Sequence, residues 1–387
     1  MGNDRLIKRR ILYITGTRAD YGLMVPVLKA IQSHEKLALS LIVTGMHLSE
    51  EFGETVREIE GDNLKIDAKV PMLSQEDTGA AMASGVGKCL LGISMAMERI
   101  RPTFLLLLGD RGEMLAGAIS ATYMNIPIAH IHGGEVSGSA DNPVRHAITK
   151  LAHIHFPATK SSAHRIEEMG EASFRIFLVG SPSLDSIANE RGTSIDLLAK
   201  KYSLDFDKPL ILVIQHPVTT EADSAANQIR VTLKAIVELQ HQTIIVYPNA
   251  DAGGRRMIRM IERYRRYPFM RILESIPRQD FLALMRSASV MVGNSSSGLI
   301  EAPSFKLPVV NIGTRQKGRE RAGNVIDVGY DRSQIKATIE RCLCDQDFLE
   351  ITKKCSNPYG DGKAGHRIAD VLANIEMTPG LLRKEGS

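Results

Sequence analysis

Asp110, Glu135 and His216 are residues of types suited to proton transfer, and each stands just past a short apolar run. The run 104–108 gives way to Gly109-Asp110-Arg111-Gly112-Glu113, 126–131 to His132-Gly133-Gly134-Glu135, and 209–214 to Gln215-His216-Pro217. Two carboxylates and an imidazole around one cavity suit general acid–base chemistry, because a shared site pushes their pKa values apart. Taken singly, each also suits the capping of a loop or helix.

A second chemistry is written after the run 289–292, in Gly293-Asn294-Ser295-Ser296-Ser297-Gly298, followed by the helix-like LIEAPSF. Hydroxyls and free N–H groups at the start of a helix attract phosphate, which makes Ser295, Ser296, Ser297 and Gly298 candidate contacts. Glu301 lies beyond them, placed to accept hydrogen bonds from a ribose diol. Arg315, Lys317, Arg319 and Arg321 follow the next apolar run, so that one or two can reach a diphosphate. The loops Thr15–Asp20 and Thr44–His47 hold equivalent places earlier in the chain, adding Arg18, Asp20 and His47. Arg111, Arg145 and Asn249 complete the candidate binding set. There is no G-x-x-x-x-G-K-[ST] and no G-x-G-x-x-G after a strand, so neither a P-loop nor dinucleotide redox chemistry is supported. His153 and His155 read as packed histidines, and the basic stretch 255–271 as a solvated helix face followed by a strand.

These loops need strands to carry them. Apolar runs of strand length stand at 11–15, 37–44, 103–109, 126–131, 153–158 and 175–180, then at 209–215, 242–248, 289–293, 307–312 and 324–328. Near-continuous apolar runs suggest strands covered on both faces, and the amphipathic segments between them make βαβ units. Two series of strands fit two doubly wound domains, with ligands held beyond the carboxyl ends of the strands. The boundary is expected near Gly180-Ser181-Pro182, giving domains 1–180 and 181–362, with a C-terminal helix from about Lys363 to Ile375.

The 387 residues exceed one ordinary core, and 43% hydrophobic with 24% charged residues is normal for a globular protein. A net charge of +4 permits an anionic ligand without implying nucleic acid. The four cysteines lack zinc-ligand spacing, so no metal is expected. The start MGNDRLIKRR has cations with no apolar stretch behind them, and the apolar runs are too short for a bilayer. The expectation is a cytoplasmic protein without a membrane partner.

The motifs TGTRADYG, VTGMHL, LLGDRGE, HIHGGEVSGSADNPVRHAITKLAHIH, QHPVTT, GNSSSGLIEA, GTRQKGRE and NPYGDGKA resemble, in that order, the hydrolysing UDP-N-acetylglucosamine 2-epimerases. The resemblance runs from about residue 9 to 370. It implies a GT-B-like α/β fold of two Rossmann-like domains with the site in the cleft between them, the C-terminal helix of about 363–387 packing back on the first. It implies that UDP-GlcNAc loses UDP across C1 and C2 and that the resulting 2-acetamidoglucal adds water, giving N-acetylmannosamine for sialic acid synthesis. No cofactor is implied, and a homodimer or homotetramer is. By motif, Asp110 and Glu135 would be the acid/base carboxylates, with His216 and Asp141 as further catalytic groups. Ser295, Ser296 and Arg315 would hold the diphosphate, Glu301 the ribose, and Arg18 the phosphate side. Asn142 stands where relatives often have a second acid, which removes a charge there. Alternatives are a hydrolysing 2-epimerase of a UDP- or GDP-linked 2,4-diacetamido-2,4,6-trideoxyhexose, as in legionaminic acid synthesis, a non-hydrolysing epimerase, a GT-B glycosyltransferase, and a nucleotide-sugar sensor.

Overall fold

The computed structural model describes residues 8–76, 78–138, 141–189 and 192–384, with Asp141 and Asn189 described by backbone alone. Its first sheet holds β1 (Arg9–Thr15), β2 (Leu37–Thr44), β3 (Ile66–Val70), β4 (Phe104–Leu108), β5 (Ile128–Ile131) and β6 (Ile154–Phe156). All are parallel, in the order β3-β2-β1-β4-β5-β6. The second sheet holds β7 (Leu210–Ile214), β8 (Gln242–Val246), β9 (Met270–Leu273), β10 (Val290–Gly293), β11 (Val309–Ile312) and β12 (Val325–Val328). It repeats the same winding, in the order β12-β11-β10-β7-β8-β9. Central strands such as FLLLL in β4 and LILVI in β7 are buried along their whole length, because helices cover both faces. Each sheet reverses its winding once, between β1 and β4 and between β7 and β10, and a crevice opens at such a reversal.

Two strands differ from the sequence expectation. β3, with sequence IDAKV, lies at the sheet edge, and its partly exposed Asp67 and Lys69 interrupt any apolar run. The segment 175–180 is apolar yet forms no strand. It follows β6 through one bridge, Ile176 to His155, with Phe177 and Val179 donating to the carbonyls of His155 and Pro157 at 2.9 and 3.2 Å. Arg175 meanwhile turns away to donate to the carbonyls of Gly380, Leu381 and Arg383 near the C-terminus.

The helix Ala364–Asn374 packs on the helix Arg18–Ser33 and buries Ile368, Ala369 and Leu372 in the first domain's core. The helix Gly79–Ile100 is, at 22 residues, long and apolar enough by length and composition to cross a bilayer. It lies along the helix Gly112–Tyr123, turning Cys89, Ile93 and Met97 onto the sheet while Leu91 and Met95 face outward.

Candidate active site

The two sheets turn their carboxyl ends toward a shared cleft of about 330 Å³, within the usual range for a small-ligand site. Because β4 and β5 are hydrogen-bonded neighbours, the loops after them leave the sheet side by side. Asp110 and Glu135 therefore enter one cleft, and His216 enters it from the other domain. Left-handed backbone at Gly109, His132 and Gly134 makes these exits abrupt.

Glu135 is almost wholly buried. Arg319 donates to its Oε2 at 2.6 Å and His132 Nδ1 lies 3.1 Å from Oε1. Burial alone would raise its pKa, but the positive charge of Arg319 and the His132 imidazole outweigh that and bring it down to about 2. Arg145 bridges the two acids. Its Nη2 donates to the Asp110 carboxylate and its Nη1 to the main-chain oxygen of Glu135 at 2.9 Å. Burial, then the like charges of Arg319 and Arg315, disfavour the Arg145 cation, so an anion entering the cleft relieves a crowd of guanidiniums.

The second domain fixes His216 as firmly. Its N–H donates to Asn294 Oδ1 at 2.7 Å, and Asn294 Nδ2 returns a bond to its carbonyl at 2.9 Å. These reciprocal bonds tie the ends of neighbouring strands β7 and β10. His216 Nδ1 accepts from the Asn249 N–H at 3.1 Å, which leaves Nε2–H as the donor of the neutral ring. Burial, then Arg315 and Arg111, hold its pKa well below the ordinary imidazole value.

Ser295, Ser296 and Ser297 line the cleft, with the hydroxyls of Ser295 and Ser297 2.8 Å apart. The helix expected behind them is a single turn, Ser297–Ile300, followed by the 3-10 turn Ala302–Phe305. A helix dipole therefore contributes little, and the anion-attracting groups here are the hydroxyls and Arg315, which lines the same wall. Gly298 lies outside the cleft wall, since a Cβ there would press on Val309 of β11. Glu301 is buried and paired with Arg278, which also donates to the Ser183 carbonyl at 3.2 Å.

The remaining candidates divide. Arg18, Arg111 and Asn249 line the cleft. Arg18 pairs with Glu58 and reaches Ser275 of the other domain, while Arg111 pairs with Glu113 at 2.8 Å. Asp20 reaches the wall but is occupied by its own loop, accepting from Gly16 N–H at 2.9 Å and Thr17 N–H at 3.0 Å and closing a capping box with Thr17. Its burial, with the charge of Glu113, raises its pKa to about 6. His47 is behind the wall, fully buried between Thr15 Oγ1 at 3.0 Å and Thr55 Oγ1 at 2.7 Å. Asp141 begins the helix Asp141–Leu151, and its side chain lies outside the described residues.

His132 and Arg278, which carry no role in the sequence reading, also face the cleft, as does Arg319, which meets Glu135 rather than standing free for a diphosphate. The i,i+3 spacing of His132 and Glu135 was a usable signal, and Arg319 stood inside the basic run. Nothing local marks Arg278. Tyr247, Ile276 and Phe281 give one end of the cleft an apolar, partly aromatic lining. Among the described residues no three His, Cys, Asp or Glu side chains gather as a metal site.

Residues 29–373 match the family model described as UDP-N-acetylglucosamine 2-epimerase. The chain is 43% identical over 376 residues to the UDP-N,N'-diacetylbacillosamine 2-epimerase (hydrolyzing) of Legionella pneumophila, covering 97% of this chain and 98% of that one. It is 36% identical over 370 residues to the UDP-N-acetylglucosamine 2-epimerase of Neisseria meningitidis, covering 95% and 96%. In fold it is similar to the crystal structure of UDP-GlcNAc 2-epimerase from Neisseria meningitidis bound to UDP-GlcNAc, with a TM-score of 0.79, 19% identity, and 94% and 99% of the two chains covered.

Proposed function

Since the chain belongs to the UDP-N-acetylglucosamine 2-epimerase family, we propose that it is a hydrolysing 2-epimerase of a UDP-linked 2,4-diacetamido-2,4,6-trideoxyhexose. The observation that carries the reaction class is the convergence of Asp110, Glu135 and His216, from two domains, on one cleft. The choice of sugar rests on the 43% identity, along nearly the whole chain, to the hydrolysing diacetylbacillosamine enzyme. This departs from the expectation of UDP-GlcNAc and sialic acid synthesis, which becomes the second reading and draws its support from the 36% relative.

The chemistry follows from the groups present. A carboxylate takes the C2 proton, the C1–O bond breaks, UDP leaves and a C1=C2 double bond forms. Water then adds its oxygen to C1, and a proton returns to C2. Inversion at C2 needs the proton to leave one face and return to the other, which is work for two groups, and Asp110 and Glu135 supply two. The C2 proton is poorly acidic, so the departing diphosphate must be stabilised strongly. Arg315, the serine hydroxyls and the fixed Nε2–H of His216 are donors suited to that task. Each such donor is worth about 3 kcal/mol in comparable sites.

The test is incubation in D₂O with UDP-N,N'-diacetylbacillosamine and with UDP-GlcNAc, followed by NMR. The expected result is UDP and a free 2-epimerised sugar carrying deuterium at C2, with kcat/KM higher for the diacetamido sugar. Preference for UDP-GlcNAc moves the assignment to the second reading. A product still linked to UDP, transfer to a sugar acceptor, or binding without release would each reject the hydrolysing activity.

A further inference from the structure

We propose that Arg319 is a positioning residue for Glu135, delivered from the second domain by a clasp of two loops, so that Glu135 is set for proton transfer only while the clasp is engaged. The loops are 135–138, after β5 of the first domain, and 313–320, after β11 of the second. They meet at three places, and a neighbouring helix adds a fourth contact. Arg319 Nη2 donates to Glu135 Oε2 at 2.6 Å. The Gly138 N–H donates to the Arg315 carbonyl at 3.0 Å. Val136 packs over Gly318, where a Cβ would lie 3.3 Å from its side chain. Ser161, from the helix Lys160–Glu168, donates to Glu320. At Gly138 the backbones are so close that any Cβ would collide with the Thr314 carbonyl oxygen.

Arg319 is itself held in place. Its Nη1 donates to Gln316 Oε1 at 3.0 Å, and Gln316 Nε2 anchors to the Asn294 carbonyl at 2.8 Å. The ion pair is thus rigidly mounted on the loops that also carry the serine wall and Arg315. With Arg319 at 9% and Glu135 at 3% side-chain exposure, water screens it little.

Among the described residues, the titratable or charged groups that face Glu135 or its loop are His146, bonded to its main chain from the helix Asp141–Leu151, and six others. His130 and His132 stand on its own strand and turn, Arg145 and Arg165 come from following helices, Tyr359 from the C-terminal segment, and Arg319 from the other domain. Arg145 and Arg165 bond main-chain oxygens in and beside the loop, and among the described residues only His132 and Arg319 reach the carboxylate. If the clasp parts, Glu135 loses its strongest counter-charge. Its proton affinity then rises.

The proposal rests on the hydrolysing-epimerase reading only in giving Glu135 a proton to transfer. The test compares Arg319→Ala, Arg319→Lys and Gly138→Ala with the parent enzyme. Gly138→Ala blocks the clasp sterically and touches no acid–base group. In Arg319→Ala and Gly138→Ala, the carbon-13 NMR titration of the Glu135 carboxyl should shift upward by at least about one pH unit, with Arg319→Lys in between. The acidic limb of the kcat–pH profile should rise with it. kcat at neutral pH should fall more than 10-fold, while calorimetric UDP affinity stays within about 3-fold. An unmoved Glu135 titration in all three variants overturns the proposal, even where activity falls. If Arg319→Ala does not fold, Gly138→Ala and Arg319→Lys decide. If the parent turns over neither UDP-sugar, the functional reading fails, and the carboxyl titration still decides whether the clasp sets Glu135.

Discussion

Arg145 donates to the Asp110 carboxylate with one terminal nitrogen while its other reaches the main-chain oxygen of Glu135, 2.9 Å away. One guanidinium therefore fixes the spacing of the two carboxylate loops. On the proposed function, a sugar held between them meets two carboxylates whose separation is set by a rigid fork rather than by loop flexibility.

Asp110→Asn keeps the shape of this arrangement and removes the charge. Turnover is expected to fall by about 10²–10⁴-fold, the usual cost of losing a positioned acid or base. UDP binding, measured by calorimetry, should change less than about 3-fold, because the serine wall and Arg315, proposed to hold the diphosphate, belong to the other domain. Undiminished turnover would remove Asp110 from the mechanism.

His216 gives a different signature. Its Nδ1 is occupied by the Asn249 N–H, and its pKa is held well below 6.5 by burial and by Arg315 and Arg111. The ring therefore stays a neutral Nε2–H donor through the physiological range. A kcat–pH profile should show no limb near pH 6.5 that disappears on mutation. His216→Ala should lower kcat by about 10²-fold through loss of one donor to the departing diphosphate. A limb near pH 6.5 present in the parent and absent from the variant would identify a titrating base instead.

The carboxylates and the imidazole were legible because they are local features, each a polar residue at the abrupt end of a fully buried run such as FLLLL or LILVI. What turned the two carboxylates toward one another was the adjacency of β4 and β5, and the packing of the second domain brought the imidazole to the same cleft. Two of the long-range charge pairings at the site were not legible, Arg319 with Glu135 and Arg278 with Glu301. Arg319 lies 184 residues from Glu135, and Arg278 comes from a helix with no distinguishing pattern. No spacing rule links such pairs, because tertiary packing brings them together, across the two domains for Arg319 and Glu135 and within the second for Arg278 and Glu301. Edge strand β3 escaped notice for a related reason. A strand with one neighbour and mostly half-buried side chains need not be an apolar run.

Glu301 and Arg278 form a buried ion pair against the cleft wall. If Glu301 holds the ribose, Glu301→Gln weakens a charge-assisted bond worth about 1.5–3 kcal/mol, or about 10- to 100-fold in nucleotide affinity. kcat should be nearly unchanged, since the contact is equally present before and during reaction. Glu301→Ala should also lower the melting temperature, by leaving the Arg278 cation unpaired. Unaltered UDP affinity in the Gln variant would confine Glu301 to a structural part.

The buried histidines set how the fold answers acid. Burial lowers His47 to about 4 and His130 to about 3. In the unfolded chain both titrate near 6.5, so between about pH 6.5 and 4 the unfolded state binds two protons that the folded state refuses. Stability therefore falls as pH falls through that window. Asp20, raised to about 6, runs the other way, because below pH 6 the folded state takes up a proton that the unfolded aspartate declines until about pH 4. For these three groups the unfolded state stays about one proton ahead between about pH 6 and 4, so stability falls as pH falls; His153 and His216, also lowered, add to the loss, and Glu58 and Asp185, raised by burial, oppose it. Below about pH 4 the loss continues as Glu135 and Glu171, both held down at about 2, are favoured in their protonated form only by the unfolded state. Thermal melts from pH 7.5 to 4.5 should thus show a steady fall in Tm below pH 6.5. His47→Gln, which can still bond Thr15 and Thr55 but takes no proton, should flatten that fall by about one proton's worth. A Tm independent of pH across this range would mean that these rings are protonated in the folded protein or already neutral in the unfolded one.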